Sequence, residues 1–383
     1  MKVALVYDRV NKWGGAERVL LALAELFPDA PLYTSVYNKK TARWAKPFDV
    51  RSTFLQKIPF ASSSHEQFAL FMPVAFESFH FDDYDVVISI TSEHAKSILT
   101  KPQTLHICYC LTPTRYLWSG YQDYFKNSLL RFLSHPAIAY LKTFDTIASN
   151  RPDFYIAISQ AVQERIKNYY QKDSSVVYPA LTLASRSVSL EEKKLNSPLK
   201  VALGDTHWRA GERSSYFLIV SRFVPYKRLD IAIEACNMLK LPLIIVGKGS
   251  EEGALRRIAG PTVTFVGTLT DEELLEYYRN CKALIIPANE DFGLTALEVQ
   301  AQGKPVIALK SGGVLETVIE GKTGAFFYPQ NAHALITALK NFDTFHFDRK
   351  DCIQQARKFG TEQFKKAFMA QLQTYIKEYK KNL

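Results

Sequence analysis

The chain contains no uninterrupted apolar run near the roughly 18–20 residues that a membrane-spanning helix requires, which argues against a helical transmembrane protein. A secretory leader is not expected either. The opening stretch MKVALVYDRVNKWGGAERV reads as a strand, with Asp8 and Arg9 where a leader needs its apolar centre, so the expected location is the cytoplasm. Cysteine is scarce: Cys108, Cys110, Cys236, Cys281 and Cys352 are odd in number and form no C-x-x-C pair. That spacing argues against a disulfide framework or a zinc site and leaves buried thiols. No G-x-G-x-x-G follows the first strand, so a dinucleotide fingerprint is unsupported. No basic block interleaved with aromatics marks a nucleic-acid module. Acidic residues are also in deficit, with Lys+Arg 48 against Asp+Glu 38, a net charge of +10 and a pI near 9.1. An anionic partner is therefore expected. Because the basic residues are spread over both halves, a phosphorylated ligand or an acidic membrane surface leads over nucleic acid.

What the chain does have is alternation. In the first half VALVY, DVVISI, HICYC, FYIAIS and SVVYP alternate with helical stretches such as GGAERVLLALAEL and QAVQERIKNYY. In the second half YFLIVS, LPLIIVG, TVTFVG, ALIIP and PVIAL do the same. Short, nearly all-apolar strands separated by helices imply parallel sheets covered on both faces, an α/β layering. A chain of 383 residues with 47% hydrophobic content can bury two such cores. The polar stretch SLEEKKLNSPLKVALGDTHWRAGERSS places a boundary near residues 190–214.

Open parallel sheets bind ligands where strands end and helices begin. Three clusters sit at such places. Gly14 and Gly15, between the first strand and its helix, allow the backbone to approach an anion, although a tight turn alone explains them equally well. Arg222 and Lys227 lie five apart across Pro225 after YFLIVS, a pair of cations suited to a diphosphate. PANEDFGLTALEVQAQGKPV, residues 287–306, carries Glu290 before a Gly293 turn and Glu298 in the helix that follows. The amino end of that helix favours an anionic group. A carboxylate set against phosphate would repel it, so Glu298 suits a neutral diol such as ribose. Glu290 suits sugar hydroxyls or positive charge developing on a sugar. Together these residues describe a nucleotide sugar.

The combination of SRFVPYKR with ANEDFGLTALEVQAQGKPVIALKSGGVLETVIEGKTG resembles the retaining glycosyltransferases of family 4, and GGAER, HICYCLTPTRYLW and FYIAISQAVQERI extend the resemblance over nearly the whole chain. It looks closest to polysaccharide and O-antigen mannosyltransferases. The resemblance implies an α/β GT-B fold of two facing, doubly wound Rossmann-like domains. Residues 1–200 would form an acceptor-binding domain and 201–360 a nucleotide-sugar-binding domain, with a helix over 361–383 packing back on the first. It implies that Arg222 and Lys227 bind the donor diphosphate and Glu298 the ribose. Glu290, with the backbone of Phe292, Gly293 and Leu294, would hold the transferred sugar. Thr295 would lie by the phosphates, Gly267 in FVGTL beside the base, and Gly14 and Gly15 near the reaction centre. No cofactor and no metal are expected, in keeping with the lack of a D-x-D motif. One position departs from the family: Leu111 stands where relatives carry a histidine before Thr-Pro, and His94 in TSEHAKS is the candidate to replace it.

The resulting expectation is a metal-independent hexosyltransferase that retains anomeric configuration. Its donor would be a nucleotide-diphosphate sugar, with GDP-mannose favoured, and its acceptor lipid-linked or polysaccharide. The alternatives are a transferase for another UDP- or dTDP-sugar and a non-catalytic nucleotide-sugar-binding scaffold. No nucleic-acid partner is expected. Residues 123–144, DYFKNSLLRFLSHPAIAYLKTF, mix bulky apolar residues with Lys126, Arg131, His135 and Lys142, a composition for peripheral contact with anionic lipid on the inner face of the cell membrane or for packing on the domain itself.

Overall fold

The computed structural model describes residues 1–121, 128–182 and 216–382. The chain divides into two compact units, Met1–Ala180 with Thr361–Leu383, and Leu181–Gly360. The boundary region expected near residues 190–214 lies outside the described residues, as do Lys126 and its neighbours 122–127.

In the first unit seven parallel strands, β1 (Val3–Tyr7), β2 (Leu32–Thr34), β3 (Val50–Ser52), β4 (Val86–Thr91), β5 (Leu105–Cys110), β6 (Phe154–Ala157) and β7 (Ser175–Val176), lie in the order β3-β2-β1-β4-β5-β6-β7. The central strands are buried along their whole length, which is why their sequences are apolar on both faces. Helices α1 (Gly15–Leu26), α2 (Met72–Glu77), α3 (Ser128–Ala148) and α4 (Gln160–Tyr170) connect them. Helix α4 starts where Ser159 accepts a hydrogen bond from the Val162 amide, satisfying one of the donors a helix start leaves open.

In the second unit β8 (Phe217–Val220), β9 (Leu243–Val246), β10 (Val263–Gly267), β11 (Ala283–Ile286), β12 (Val306–Leu309) and β13 (Gly324–Phe327) run in the order β10-β9-β8-β11-β12-β13, again all parallel. Its helices are α5 (Leu229–Leu239), α6 (Glu252–Ile258), α7 (Asp271–Asn280), α8 (Leu294–Ala301), α9 (Val314–Thr317), α10 (Ala332–Asn341) and α11 (Arg349–Arg357). The two-residue period of each strand sorts its side chains into two cores. Phe217, Ile219, Leu243, Ile245, Ile285 and Ile307 face α5 and α10, whereas Leu218, Ile244, Val246, Leu284, Ile286 and Ala308 pack with Tyr277, Tyr278 and α8. Helix α7 opens with a reciprocal cap between Thr270 and Glu273.

The last helix, α12 (Thr361–Asn382), belongs to the first unit. Phe364 and Phe368 meet Tyr109 edge-on, Lys365 pairs with Glu25 of α1, and Tyr375 stacks on Phe154 at 4.2 Å while donating to the Tyr155 carbonyl. All five cysteines are buried and free. Among the described residues, no helix is long and apolar enough to cross a membrane.

Candidate functional sites

In both sheets the chain reverses its direction of winding beside the first strand, between β1 and β4 and between β8 and β11. Such a reversal leaves a crevice at the carboxyl ends of the two strands, because their outgoing loops turn to opposite faces. Each unit fills its crevice differently.

In the second unit β8 delivers Arg222 and a short turn, Pro225–Lys227, while β11 delivers Glu290. Lys227 Nζ lies 2.6 and 2.7 Å from the two Glu290 oxygens. Arg222 donates to the Tyr226 hydroxyl at 2.7 Å, and the Lys227 ammonium sits 5.2 Å from the centre of the same ring, so Tyr226 gathers both cations. The structure thus brings Arg222 and Lys227 together after β8. Gly293 then adopts φ +89°, a left-handed conformation that costs glycine little, and starts α8 with no side-chain cap. Leu294 and Thr295 occupy the first turn, where free amides and the helix dipole favour an anion. Phe292 turns its ring into the core against Phe359, leaving its backbone to the loop. Glu298 is not an exposed helix residue: it is 4% exposed, and Tyr278 donates to its Oε2 at 2.6 Å.

Several residues that shape this crevice were not singled out from sequence. Gly247 and Gly249 press the β9 loop onto the backbone of Ser221 and Phe223, so that a Cβ on Gly247 would lie 1.9 Å from the Ser221 carbonyl oxygen. The Phe223 amide donates to Lys248 in return, and the loop carrying Arg222 is thereby held in place. Lys248 itself adds an exposed cation near Gly267, whose positive φ and carbonyl bond from Gly247 shape the end of β10. Gly312 and Gly313 play the same part for the Glu290 loop, since a Cβ on either would fall about 2.4 Å or less from its backbone or from Asn289. In the sequence these positions show only as K-G and G-G steps after apolar strands, with nothing to say what they press against.

The first unit's crevice combines ion pairs with a carboxylate held by backbone amides. Asp8, used in the sequence only to argue against a leader, accepts from Thr91 Oγ1 and from the amides of Ser92, His94 and Ala95 at 2.7–2.9 Å. Arg9 pairs with Glu93 at 2.6 Å. Burial alone would raise the Glu93 pKa, but Arg9, with His94 and His65, outweighs it and holds the group at about 2. Below the loop, Lys96 and Asp145 form a buried pair at 2.5 Å, and Asp145 also accepts from Thr114, Trp118 and Tyr170. Gly14 precedes α1 beside Glu17, whose carboxylate accepts a hydrogen bond from the Tyr7 hydroxyl at 2.7 Å.

His94 is drawn into this network rather than presented on the surface. It is 2% exposed, its Nε2 lies 3.0 Å from the Tyr116 hydroxyl, and burial followed by the charge of Lys96 lowers its pKa. Leu111 hydrogen-bonds through its amide to Thr91, so the ends of β4 and β5 bring the loops of His94 and Leu111 side by side. Nearby, α3 borders a cavity of about 570 Å³ lined by Leu117, Trp118, Tyr121, His135 and Lys142, with Lys142 lying 4.5 Å above the Trp118 ring.

This geometry, two parallel sheets each with a crevice at its reversal, is that of a GT-B protein, and solved structures agree. Anabaena HepE in complex with UDP and glucose superimposes with a TM-score of 0.68 at 19% identity, covering 98% of this chain and 100% of that one. Sucrose-phosphate synthase from Thermosynechococcus elongatus gives 0.66 at 18% identity, covering 100% of both. Residues 206–359, within the second unit, match the family model for glycosyl transferases group 1. Among curated relatives, the O-antigen chain mannosyltransferase C of Escherichia coli is 29% identical over 52% of this chain and 51% of its own length. The alpha-1,3/1,6-mannosyltransferase ALG2 of Dictyostelium discoideum is 26% identical over 58% of each. The chain thus spans about half the length of these curated relatives.

Proposed function

We propose that the protein is a retaining, family 4 glycosyltransferase that moves a hexose, with mannose favoured, from a nucleotide-diphosphate sugar to a hydroxyl of a lipid-linked or polysaccharide acceptor. The observation carrying this reading is the second unit's crevice, where Arg222, Lys227, Glu290 and the uncapped start of α8 converge inside the segment that matches the family model. In this reading Arg222 and Lys227 receive the diphosphate, helped by the α8 amides and Thr295. Lys227 exchanges a carboxylate partner for phosphate oxygens as the donor enters. Glu290, released from Lys227, then takes sugar hydroxyls, Glu298 takes the ribose, and Gly267 lies beside the base. The acceptor oxygen bonds to the anomeric carbon on the face from which the diphosphate departs, and its proton passes to the departing phosphate. Cations and amides fixed before the reaction stabilise the leaving dianion without a metal. Gly14, Gly15 and the Asp8-anchored loop bearing His94 belong to the acceptor side in this proposal, with peripheral contact to anionic lipid.

The mannosyltransferase relatives favour GDP-mannose, whereas the HepE complex with UDP and glucose supports a UDP-sugar as the second donor reading. Leu111 supports a third, a nucleotide-sugar-binding scaffold without turnover. Thermal-shift titration with GDP-, UDP- and dTDP-sugars separates the donors, and slow donor hydrolysis separates enzyme from scaffold. We expect Arg222→Ala to weaken binding of the preferred donor by roughly tenfold or more, the scale of a lost charged hydrogen bond. Unchanged affinity in this variant would remove the site assignment.

A further inference from the structure

Among the large apolar side chains that the described residues of the first unit expose, six, Phe54, Ile58, Phe60, Leu70, Phe71 and Val74, fall within one short segment after β3. Isolated exposed apolar residues are ordinary, but a grouped set marks a surface that meets something. The segment is folded and not frayed. Its short helical turns and α2 close over a small core of Val36, Leu55, Ala61, Met72 and Ala75, with the exposed residues around it. Phe60 is the most telling, being 79% exposed with φ +65°, a backbone conformation that bulky side chains rarely adopt. Its carbonyl accepts from the Ser63 and Ser64 amides and from the Ser63 hydroxyl, so a fixed turn holds the ring outward.

The loops after β1 and β2 are tied to this segment. Gln56 and Tyr37 exchange two hydrogen bonds, Thr53 donates to the Ser35 carbonyl, and Asn11 reaches both Ser62 and His65. The β2 loop brings Lys39, Lys40, Arg43 and Lys46 to the surface, and Lys57 lies within the apolar segment. Across residues 35–74 six Lys or Arg stand against two Asp or Glu. Protein interfaces are poor in lysine, whereas anionic lipid attracts it and accepts aromatic and aliphatic side chains beneath the headgroups. The charge therefore decides between the two kinds of partner.

We propose that the β1–β3 end of the first unit docks on an anionic phospholipid bilayer, with Phe60 and Phe71 entering the headgroup region and the lysines contacting lipid phosphates. Beyond the general expectation of peripheral contact, this names the segment between β3 and α2 rather than α3, whose Phe132 and Leu133 are also exposed. Co-sedimentation of the full chain with phosphatidylglycerol-containing vesicles, against phosphatidylcholine alone, tests it. Wild type should bind the anionic vesicles and lose binding as salt shortens the screening length. The double variant Phe60→Ser with Phe71→Ser should bind roughly tenfold more weakly or worse, with an unchanged melting temperature, while Phe132→Ser with Leu133→Ser should keep most of the binding. Equal binding by wild type and the Phe60/Phe71 variant would overturn the proposal. So would loss confined to the Phe132/Leu133 variant, or a wild-type dimer that the Phe60/Phe71 variant splits without any vesicle effect. Nucleotide-sugar binding measured on the same variants should not change, so failure of the transferase reading is scored separately.

Discussion

The two units share a sheet plan and differ in how they treat charge. The first buries it: Asp8, Arg9, the Lys96–Asp145 pair and three histidines, His65, His94 and His106, lie inside, with Glu93 partly exposed beside Arg9. Among its described residues the second buries one charged side chain, Glu298, and its Lys227–Glu290 pair at the crevice stays partly exposed. A loop whose charges are satisfied internally arrives already ordered, whereas charges held at a rim can exchange partners when a ligand comes. The first arrangement suits a fixed platform, and the second suits the capture of an anion.

The contrast can be broken or sharpened by experiment. The largest effect should come from Asp145→Ala, which strands Lys96 without its partner and should cost about 3–5 kcal/mol, read as a loss of denaturant stability confined to the first unit. Acid should come next. Burial, then the charge of Arg9, lowers the His65 pKa to about 4 from an unfolded value near 6.5. Because the fold disfavours the imidazolium, this stability is complete above about pH 6.5 and is lost as pH falls towards 4, amounting to at most ~3 kcal/mol. His106, pushed down to about 3 by burial and then by Arg151, acts in the same direction. Hydrogen exchange at pH 7 and pH 4.5 should show the first unit loosening ahead of the second, and His65→Gln should flatten that difference. Simultaneous loosening would erase the contrast. Gly247→Ala, forced against Ser221 at φ +136°, should cost about 1–3 kcal/mol in the second unit and weaken nucleotide binding by displacing the Arg222 loop. The smallest effect is expected of Tyr278→Phe, which removes the hydrogen bond to Glu298 for about 1 kcal/mol of stability and should be checked by thermal melting.

Long apolar strands were legible because burial on both faces leaves no freedom of composition, and VALVY, VVISI, LIIV and ALII all appear where expected. LYT and VRS were not recognised, being three-residue strands too short to show a period, and GAFF opens on a glycine that weakens the pattern. At the second crevice the cations, Glu290 and Gly293 were readable, since each follows a strand directly. Gly247, Gly249 and Lys248 were not, because their part depends on a loop that is distant in sequence pressing on Ser221 and Phe223. Asp8 was visible only as a charge after a strand. Its four donors come from residues more than eighty positions away.

Helix α12 carries a consequence for biosynthesis. The first unit takes α12 from residues that follow the second unit, with Phe364, Phe368 and Tyr375 covering Tyr109 and Phe154. On the ribosome the second unit can close as soon as Gly360 emerges, while the first must wait with these aromatics uncovered. Of the two units the earlier is completed after the later, and a nascent chain stalled before Thr361 would expose the surface that chaperones recognise.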